Sequence, residues 1–330
     1  MPTGANAHLL KTISNGEGTL PRQTVTEMFD RVSQDSAILR VAGTTPMSIT
    51  GNTFITPVGD VVAGVVNEGG AKPVTKGGVA IKKSDPVKVA AIMYWSTEAR
   101  KANPGNMISY FKKEMAQAIR KAVDMAVIYG KDSATGNTIA GAEYIMQSSN
   151  TFELGTATQK QGGLYKDIID GAAAVSRKNH TFDGFIADES LKFSLAAATD
   201  LQGRPMQGPT FDLSQNFGNL LGFPVAYSKN VSGNVGAIPD TGVRAIGGNF
   251  ADNIKFGFVD EISFKTTDQA SINDGGVQVD LWQNNLEAVL VEATFAWAFS
   301  EPDAFAIYTD KGAADAVAGG NTGGESGAAA

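Results

Sequence analysis

Glu292 is the residue whose surroundings most suggest chemistry, because it interrupts the apolar stretch LEAVLVEATFAWAFS. If this stretch is a strand, Glu292 shares one face with Thr294, while Phe295 and Trp297 lie on the other. A carboxylate that is partly removed from water must pair with a cation or have its pKa raised. Two interpretations therefore stay open, a structural ion pair with Lys or Arg and a general base.

The sequence supports no other catalytic or cofactor motif. Cysteine is absent, and the two histidines, His8 and His180, fall in an expected polar arm and an expected loop. Zinc sites and nucleophilic triads need clustered His or Cys. Gly130-Lys131 lacks the first glycine of a phosphate-binding loop, since Met125 stands in its place. We expect no metal, no cofactor and no small-molecule enzyme.

The composition favours a chain that covers its surface by association. Of its 330 residues, 42% are hydrophobic and only 18% are charged, and the net charge is −7. A low charge suits a chain that hides surface against neighbours, and the acidic balance argues against a main role in gripping nucleic acid. The sequence shows no signal-peptide pattern and no apolar run of about 20 residues. We therefore expect a cytoplasmic protein without a membrane span.

Residues 48–95 are predicted to form a long two-stranded excursion, because Val, Thr and Ile surround a turn-rich centre, NEGGAKPVTKGG. An arm of about 15 extended residues reaches roughly 50 Å, whereas a compact body of this size has a radius of gyration of roughly 20 Å. A projecting excursion would need another chain to cover its apolar residues, which are Val61, Val62, Val65, Val66, Val79 and Ile81. The alternative is an ordinary hairpin packed on its own domain.

Helical periodicity marks two segments of the first half. A stripe over residues 20–41 follows Pro21, which suits a first helical turn. A clearer stripe covers residues 106–129, where Asn106 can cap the helix and Gly130 can end it in the left-handed conformation. At 1.5 Å per residue this second helix is a rod of roughly 35 Å.

The remaining segments predict a small α/β layer and then a β-rich part. A helix over residues 164–175 precedes the strand TFDGFIA and a further helix that Asp188 caps. Residues 286–299 are nearly all apolar, as in a strand covered on both faces. Residues 1–18 are polar and rich in Gly and Asn, and we expect a mobile arm there. Residues 313–330 are too rich in Gly and Ala for a core, and we expect them to be disordered.

The order of these parts resembles the major capsid proteins of tailed double-stranded DNA bacteriophages, which have the Hong Kong 97-type fold. The resemblance covers roughly residues 20–310. It depends on segments in this order rather than on one motif: LPRQ, VAGTTPM, MYWSTEAR, LLGFPVAYS, GGNFADNIKFGF and VEATFAWAFSEPDAFAIY. They include an S-x-E before the long helix, an L-G-x-P-V and a late E-P-D-A-F.

This resemblance implies an α+β fold with named parts. An N-arm would span residues 1–45, and an extended E-loop hairpin 46–96. The peripheral domain, with its long spine helix, would comprise 97–155 and 252–300. The axial α/β domain would comprise 156–251 and 301–312, and 313–330 would be a disordered tail.

The resemblance also implies a function and partners. Such proteins assemble into hexamers and pentamers of an icosahedral head that encloses DNA, without sequence-specific binding. Assembly would take place in the cytoplasm of a bacterial host, and the product is the virion. The chain has under 20 residues before its first predicted helix, which suggests a separate scaffold protein, together with a portal and a maturation protease or decoration proteins. An encapsulin-like protein compartment is the alternative of the same fold.

Some relatives cross-link their shells covalently with isopeptide bonds between an E-loop Lys and an Asn of the peripheral domain. A Glu assists this reaction. By spacing, Asn285 and Glu292 match the Asn and the Glu. Lys72 or Lys76 would be the amine, and Lys82 and Lys83 are weaker options. In that chemistry a neutral Lys attacks the Asn carbonyl, ammonia leaves, and the Glu takes the proton. Residues seven apart in a regular strand face opposite sides, so the groups would need a backbone break or different chains.

Overall fold

The computed structural model describes residues 36–58, 63–68, 71–74, 77–102, 107–206 and 213–311. Several expectations lie outside these ranges. They concern the arm and helix before residue 36, the cap Asn106, the tail after 311, and the side chains of Val61, Val62 and Lys76.

Helices and strands of the described part follow in the order that the sequence indicates. The helices are α1 (Ile38–Val41), α2 (Thr97–Ala102), α3 (Met107–Tyr129), α4 (Gly163–Arg177) and α5 (Glu189–Ala197). The strands are β1 (Gly43–Thr44), β2 (Asn52–Val58), β3 (Gly78–Ser84), β4 (Val87–Ser96), β5 (Thr151–Glu153), β6 (Gly184–Ala187), β7 (Phe217–Leu220), β8 (Phe223–Tyr227), β9 (Val243–Gly248), β10 (Ile254–Thr267), β11 (Ser271–Asp274), β12 (Val277–Asp280), β13 (Leu286–Phe299) and β14 (Phe305–Thr309).

A four-stranded sheet carries the long helix. Its strand order is β1-β10-β13-β4, and β13 is antiparallel to both β10 and β4. Met115 and Ile119 of α3 pack on one face of this sheet, against Val291 and its apolar neighbours. The helix ends where the sequence predicts, because Gly130 adopts a φ of 63°.

The excursion is shorter than predicted. β2 and β3 pair over seven residues, from Asn52 opposite Ser84 to Val58 opposite Gly78, and form a separate two-stranded ribbon. Residues 87–96, which the sequence also placed in the excursion, are instead strand β4 of the four-stranded sheet. The physical reason is that Trp95 and its alternate neighbours in β4 pack under α3.

A second, six-stranded sheet has the order β5-β14-β9-β6-β8-β7. Helices α4 and α5 share one apolar cluster with it, in which Ile168 and Leu191 meet Phe185 and Tyr308. Asp188 caps α5 as predicted, since its side chain accepts from the Ser190 backbone N–H at 2.9 Å. β5 belongs here although the sequence placed residues 97–155 with the other sheet; it pairs in parallel with β14.

The largest core joins the two sheets at the C-terminal half of α3. Val123 and Ile128 of the helix pack with Ile246 of the six-stranded sheet and with Phe295 of the four-stranded sheet. The predicted strand 286–299 has the observed bounds of β13. Only its end, from Phe295, is buried on both faces; before that, alternate residues are half-buried. Glu292 lies in that half-buried part.

Candidate functional site

Glu292 lies in the middle of β13, on the face of the four-stranded sheet opposite α3. The register places Ala90 of β4 on one side of it and Ser263 of β10 on the other. Its two sequence neighbours, Val291 and Ala293, point the other way, into the core under the helix. Glu292 therefore stands on the outer surface of the sheet, although its side chain is only 16% exposed.

Two lysines from the adjacent strands hold this carboxylate. Lys88 Nζ of β4 lies 2.8 Å from Glu292 Oε2, and Lys265 of β10 pairs with Oε1. Hydrogen bonds from Lys265 and Lys88 lower the pKa of Glu292 to about 2. The structure therefore shows the ion pair that the sequence left as one alternative. In this pairing the carboxylate is a weak proton acceptor.

Asn285 lies just before β13, on a turn. Its φ of 52° is left-handed, so the backbone breaks from the extended conformation at this residue. Its carbonyl accepts from the Thr97 N–H at 3.0 Å, and its side-chain Nδ2 donates to Glu98 Oε1. Seven residues of strand separate Asn285 from Glu292, which is roughly 23 Å at 3.3 Å per residue. The structure does not bring the two together within one chain.

The lysine candidates have different surroundings. Lys72 is exposed in the short described segment 71–74. Lys82 pairs with Glu143 of the same chain at 2.5 Å, at the base of the ribbon. Lys83 is exposed and lies opposite Thr53 in the ribbon. Lys72 is therefore the described lysine that best fits an amine presented to another chain.

Sequence reasoning missed Glu98 as a possible acid. It belongs to the S-x-E segment at the start of α2, and it contacts the very nitrogen that a reaction at Asn285 would release. The contact joins residues 187 apart in the chain. Only the pairing of β4 with β13 brings them together, because Ser96 lies opposite Leu286.

The ribbon exposes apolar side chains, which agrees with the first of the two alternatives for this excursion, a hairpin that needs a partner. Ile55 and Ile81 lie opposite each other across the two strands, and Val79 lies two residues from Ile81 on the same face of β3. These three are 62–71% exposed. Burying such side chains against another surface is favourable by roughly 25 cal/mol per Å² of apolar area. The ribbon is therefore a surface suited to contact with a partner.

The described residues hold no group of three or more His, Asp or Glu side chains that could bind a metal ion. No helix among them is long and apolar enough to cross a membrane.

Comparisons of the sequence with known proteins all match phage capsid proteins. The phage capsid family profile matches residues 16–310. The "Probable major capsid protein gp17" of Mycobacterium phage L5 is 30% identical over 305 residues, which cover 91% of this chain and 92% of the relative. Its counterpart in Mycobacterium phage D29 is 29% identical over 302 residues, covering 89% and 91%.

Solved structures of chains from other phages have the fold described above. A chain from Gordonia phage Cozz superimposes with a TM-score of 0.74 at 26% identity and covers 94% of this chain and 97% of its own length. One from Mycobacterium phage Ogopogo gives 0.75 at 22% identity, covering 92% and 99%. At that lower identity the likeness concerns the fold alone. The match to the family spans both sheets, the long helix and the ribbon.

Proposed function

This chain belongs to the phage capsid family, and on that premise we propose that it is the major capsid protein of a tailed bacteriophage, many copies of which form an icosahedral head around double-stranded DNA. The observation that carries the proposal is the continuous match over residues 16–310 together with the matching fold. The exposed apolar ribbon supports it, because the described residues leave this surface uncovered and a second copy lying against it would bury it. The chain then works as a structural part of the virion rather than as an enzyme.

The parts of a Hong Kong 97-type subunit can be proposed on this structure. The ribbon of β2 and β3 supports an E-loop within residues 46–96. The sheet that α3 packs on supports the peripheral domain proposed for 97–155 and 252–300, with α3 as spine helix, except that β5 pairs with the other sheet. The six-stranded sheet supports an axial domain from 156–251 and 301–312. Residues 1–45 are the proposed N-arm.

The finer partners belong to the same proposal. Hexamers and pentamers, assembly in the host cytoplasm, and a separate scaffold, portal, protease or decoration protein follow from the family. The net charge of −7 argues against a strong electrostatic grip on DNA, which suits a shell that encloses DNA rather than binding it tightly.

Electron microscopy of the expressed chain, with nuclease-treated lysate of infected cells beside it, tests the proposal. We expect uniform shells, filled with DNA in the infected lysate. Empty shells loaded with a protein cargo would favour an encapsulin-like compartment instead. Small particles alone, in both samples, would contradict both.

We also propose that copies become cross-linked through Asn285 of one chain and Lys72 or Lys76 of another. The neutral lysine Nζ attacks Asn285 Cγ, the bond from Cγ to Nδ2 breaks, and an isopeptide bond forms as ammonia leaves with the displaced proton. The support from the structure is that Asn285 stands on an exposed turn with a carboxylate already on its Nδ2. Lys72 is exposed on the excursion.

Two carboxylates compete for the role of acid and base in this reaction. Glu292 can reach Asn285 only from another copy, and only after its two lysines are displaced. Glu98 lies on the leaving nitrogen in the same chain, where it can pass the proton of the lysine to the departing ammonia. The comparison of Glu98→Gln with Glu292→Gln separates the two.

Denaturing electrophoresis of mature shells decides the matter. A ladder of multiples supports cross-linking, and Asn285→Ala should collapse it to the monomer. Glu98→Gln should slow the ladder if Glu98 acts, and Glu292→Gln should slow it if Glu292 acts. A monomer band from wild-type shells would end the cross-linking proposal and leave the capsid proposal untouched.

A further inference from the structure

Trp282 is an exposed aromatic residue that belongs to no buried core among the described residues. The chain has three tryptophans. Trp95 and Trp297 are buried in the core at 3% and 6% exposure, whereas Trp282 is 72% exposed. Tryptophan offers a large apolar surface and is over-represented among the residues that dominate binding at protein interfaces. Its position outside the core therefore calls for a partner.

The turn that carries Trp282 is held firmly. Leu281 is fully buried, and its carbonyl accepts from the Leu286 N–H at 2.8 Å. Asn284 donates twice to the Asp280 carbonyl, from its backbone at 3.2 Å and from its side chain at 2.8 Å. Because the backbone on both sides is fixed, Trp282 is presented outward without a large ordering cost on binding.

A cleft of about 470 Å³ opens beside the same turn. Its walls come from α2, from the end of β10, from the start of β13 and from the turn itself, where Trp282 forms the rim; they include Thr97, Arg100, Thr267 and Glu287. Arg100 Nε is fixed on Glu287 Oε2 at 2.7 Å, while half of the arginine side chain stays exposed. A guanidinium held by its edge leaves a flat face on which an indole ring can stack.

We propose that Trp282 of one copy enters this cleft on a second copy and stacks on its Arg100. The partner is a second copy because projection and cleft adjoin on one chain, so that each copy can give a tryptophan and receive one. Because projection and cleft adjoin, two copies can exchange tryptophans about a two-fold axis, whereas a head-to-tail arrangement forms a ring only if its rotation closes. The inference rests on the proposed capsid function, in which many copies of the chain lie side by side. The contact would lie at the end of the four-stranded sheet that carries Trp282.

Fluorescence tests the contact directly, because Trp282 is the exposed member of the three tryptophans. In the unassembled chain, acrylamide should quench the part of the tryptophan emission that comes from Trp282, and the Trp282→Phe variant should lack that part. In wild-type shells we expect that quenching to be lost and the emission to shift to the blue. The quenching of wild-type shells should then equal that of shells made from Trp282→Phe.

Assembly of variants gives the second measurement. We expect Trp282→Ala to raise the protein concentration needed for assembly by about tenfold or more, since a buried aromatic contact is typically worth that factor. Val277→Ala is the matched control, because Val277 is also exposed, on the neighbouring hairpin, but does not line the cleft. Arg100→Ala should add little to Trp282→Ala if the two residues meet across copies.

Each outcome is decisive. Shells in which Trp282 stays as open to acrylamide as in the unassembled chain would overturn this inference and leave the capsid function standing. So would equal assembly defects in the Trp282→Ala and Val277→Ala variants. Failure of the wild-type chain to form shells in cells or in infected lysates would overturn both proposals.

Discussion

Replacing Asp124 by alanine would remove one acceptor that serves three separate parts of the chain. Asp124 lies near the end of α3 and is fully buried. Its Oδ2 accepts from Asn230 Nδ2 at 2.7 Å and from the Ala37 N–H at 3.1 Å. Its Oδ1 accepts from Ser36 Oγ at 2.5 Å and from the Ile38 N–H at 3.2 Å. The carboxylate thus ties the segment at α1 to the long helix and to the loop before β9.

The expected cost follows from the donors that alanine leaves behind. The Ser36 hydroxyl can rotate toward another acceptor, but two backbone N–H groups and the Asn230 amide cannot. Each buried donor left unpaired costs about 1 kcal/mol or more. Burial raises the pKa of Asp124, and its four hydrogen bonds lower it; alanine also removes the desolvation cost. We therefore expect a net loss of about 2–4 kcal/mol.

Asp124→Asn is a milder substitution at the same position. The amide keeps the shape and one oxygen, and it can turn its NH₂ toward the Ser36 hydroxyl. Only the Ile38 N–H is then opposed by another donor. We expect the asparagine variant to lose about 1–2 kcal/mol, about half of the alanine loss.

Urea unfolding of the unassembled chain, at one protein concentration, measures these losses. Asp170→Ala is the control, since Asp170 forms only an exposed pair with Lys166 of the same helix, a type of pair worth about 0.5 kcal/mol or less. The midpoint should fall in the order wild type and Asp170→Ala, then Asp124→Asn, then Asp124→Ala. Equal midpoints for the alanine variants of Asp124 and Asp170 would refute the argument.

Two further predictions concern charge and packing. The lysines around Glu292 lower its pKa from an ordinary 4.5 to about 2, so their stabilisation is present above about pH 4.5 and is lost as the pH falls toward 2. The melting temperature of Glu292→Gln should lie below wild type near neutral pH and converge with it below about pH 3; a gap independent of pH would contradict this. A Cβ on Gly171 would lie 2.5 Å from the buried Tyr308 hydroxyl, whereas one on Gly77 meets nothing within 4 Å. Gly171→Ala should lose about 1–3 kcal/mol in thermal unfolding and Gly77→Ala about none; equal losses would refute the packing argument.

The sequence predicted the ends of helices and strands where a nearby residue in the chain determines them. Gly130 ends α3 because only glycine adopts its left-handed φ without strain. Asp188 begins α5 because its side chain can accept from a backbone N–H two residues later. The apolar run of β13 has the bounds that the sequence indicates, since β4 and β10 flank residues 288–295 on both sides.

Long-range pairing was not predictable in the same way. β4 follows the ribbon in sequence, and its residues look like those of β3. It joins β13 instead, because Trp95 packs under α3 and Leu286 pairs opposite Ser96. The contact between Glu98 and Asn285 depends on this pairing. The residue types of β4 and β13 alone do not predict which residues of the two strands lie opposite each other.

The surroundings of Glu292 show the same limit. Its residue type and apolar neighbours predicted a cation partner or a raised pKa. Which one applies depends on two adjacent strands that bring Lys88 and Lys265 diagonally beside it, and the alignment of β10 includes two register irregularities before Ser263. A shift of one residue in β10 would move Lys265 to the other face of the sheet and leave half of the pairing unmade.

The distance between Asn285 and Glu292 sharpens the argument for self-association. Low charge and exposed apolar residues indicate that another chain is needed but not where it lies. In the structure, the ribbon, Trp282 and Asn285 are all exposed, and each offers a group for which the described part of the same chain provides no cover. Roughly 23 Å of strand separates Asn285 from Glu292, the carboxylate that the resemblance assigns to the same reaction. Any chemistry that unites Asn285 with Glu292 must therefore take place between copies, on a surface that exists only after assembly.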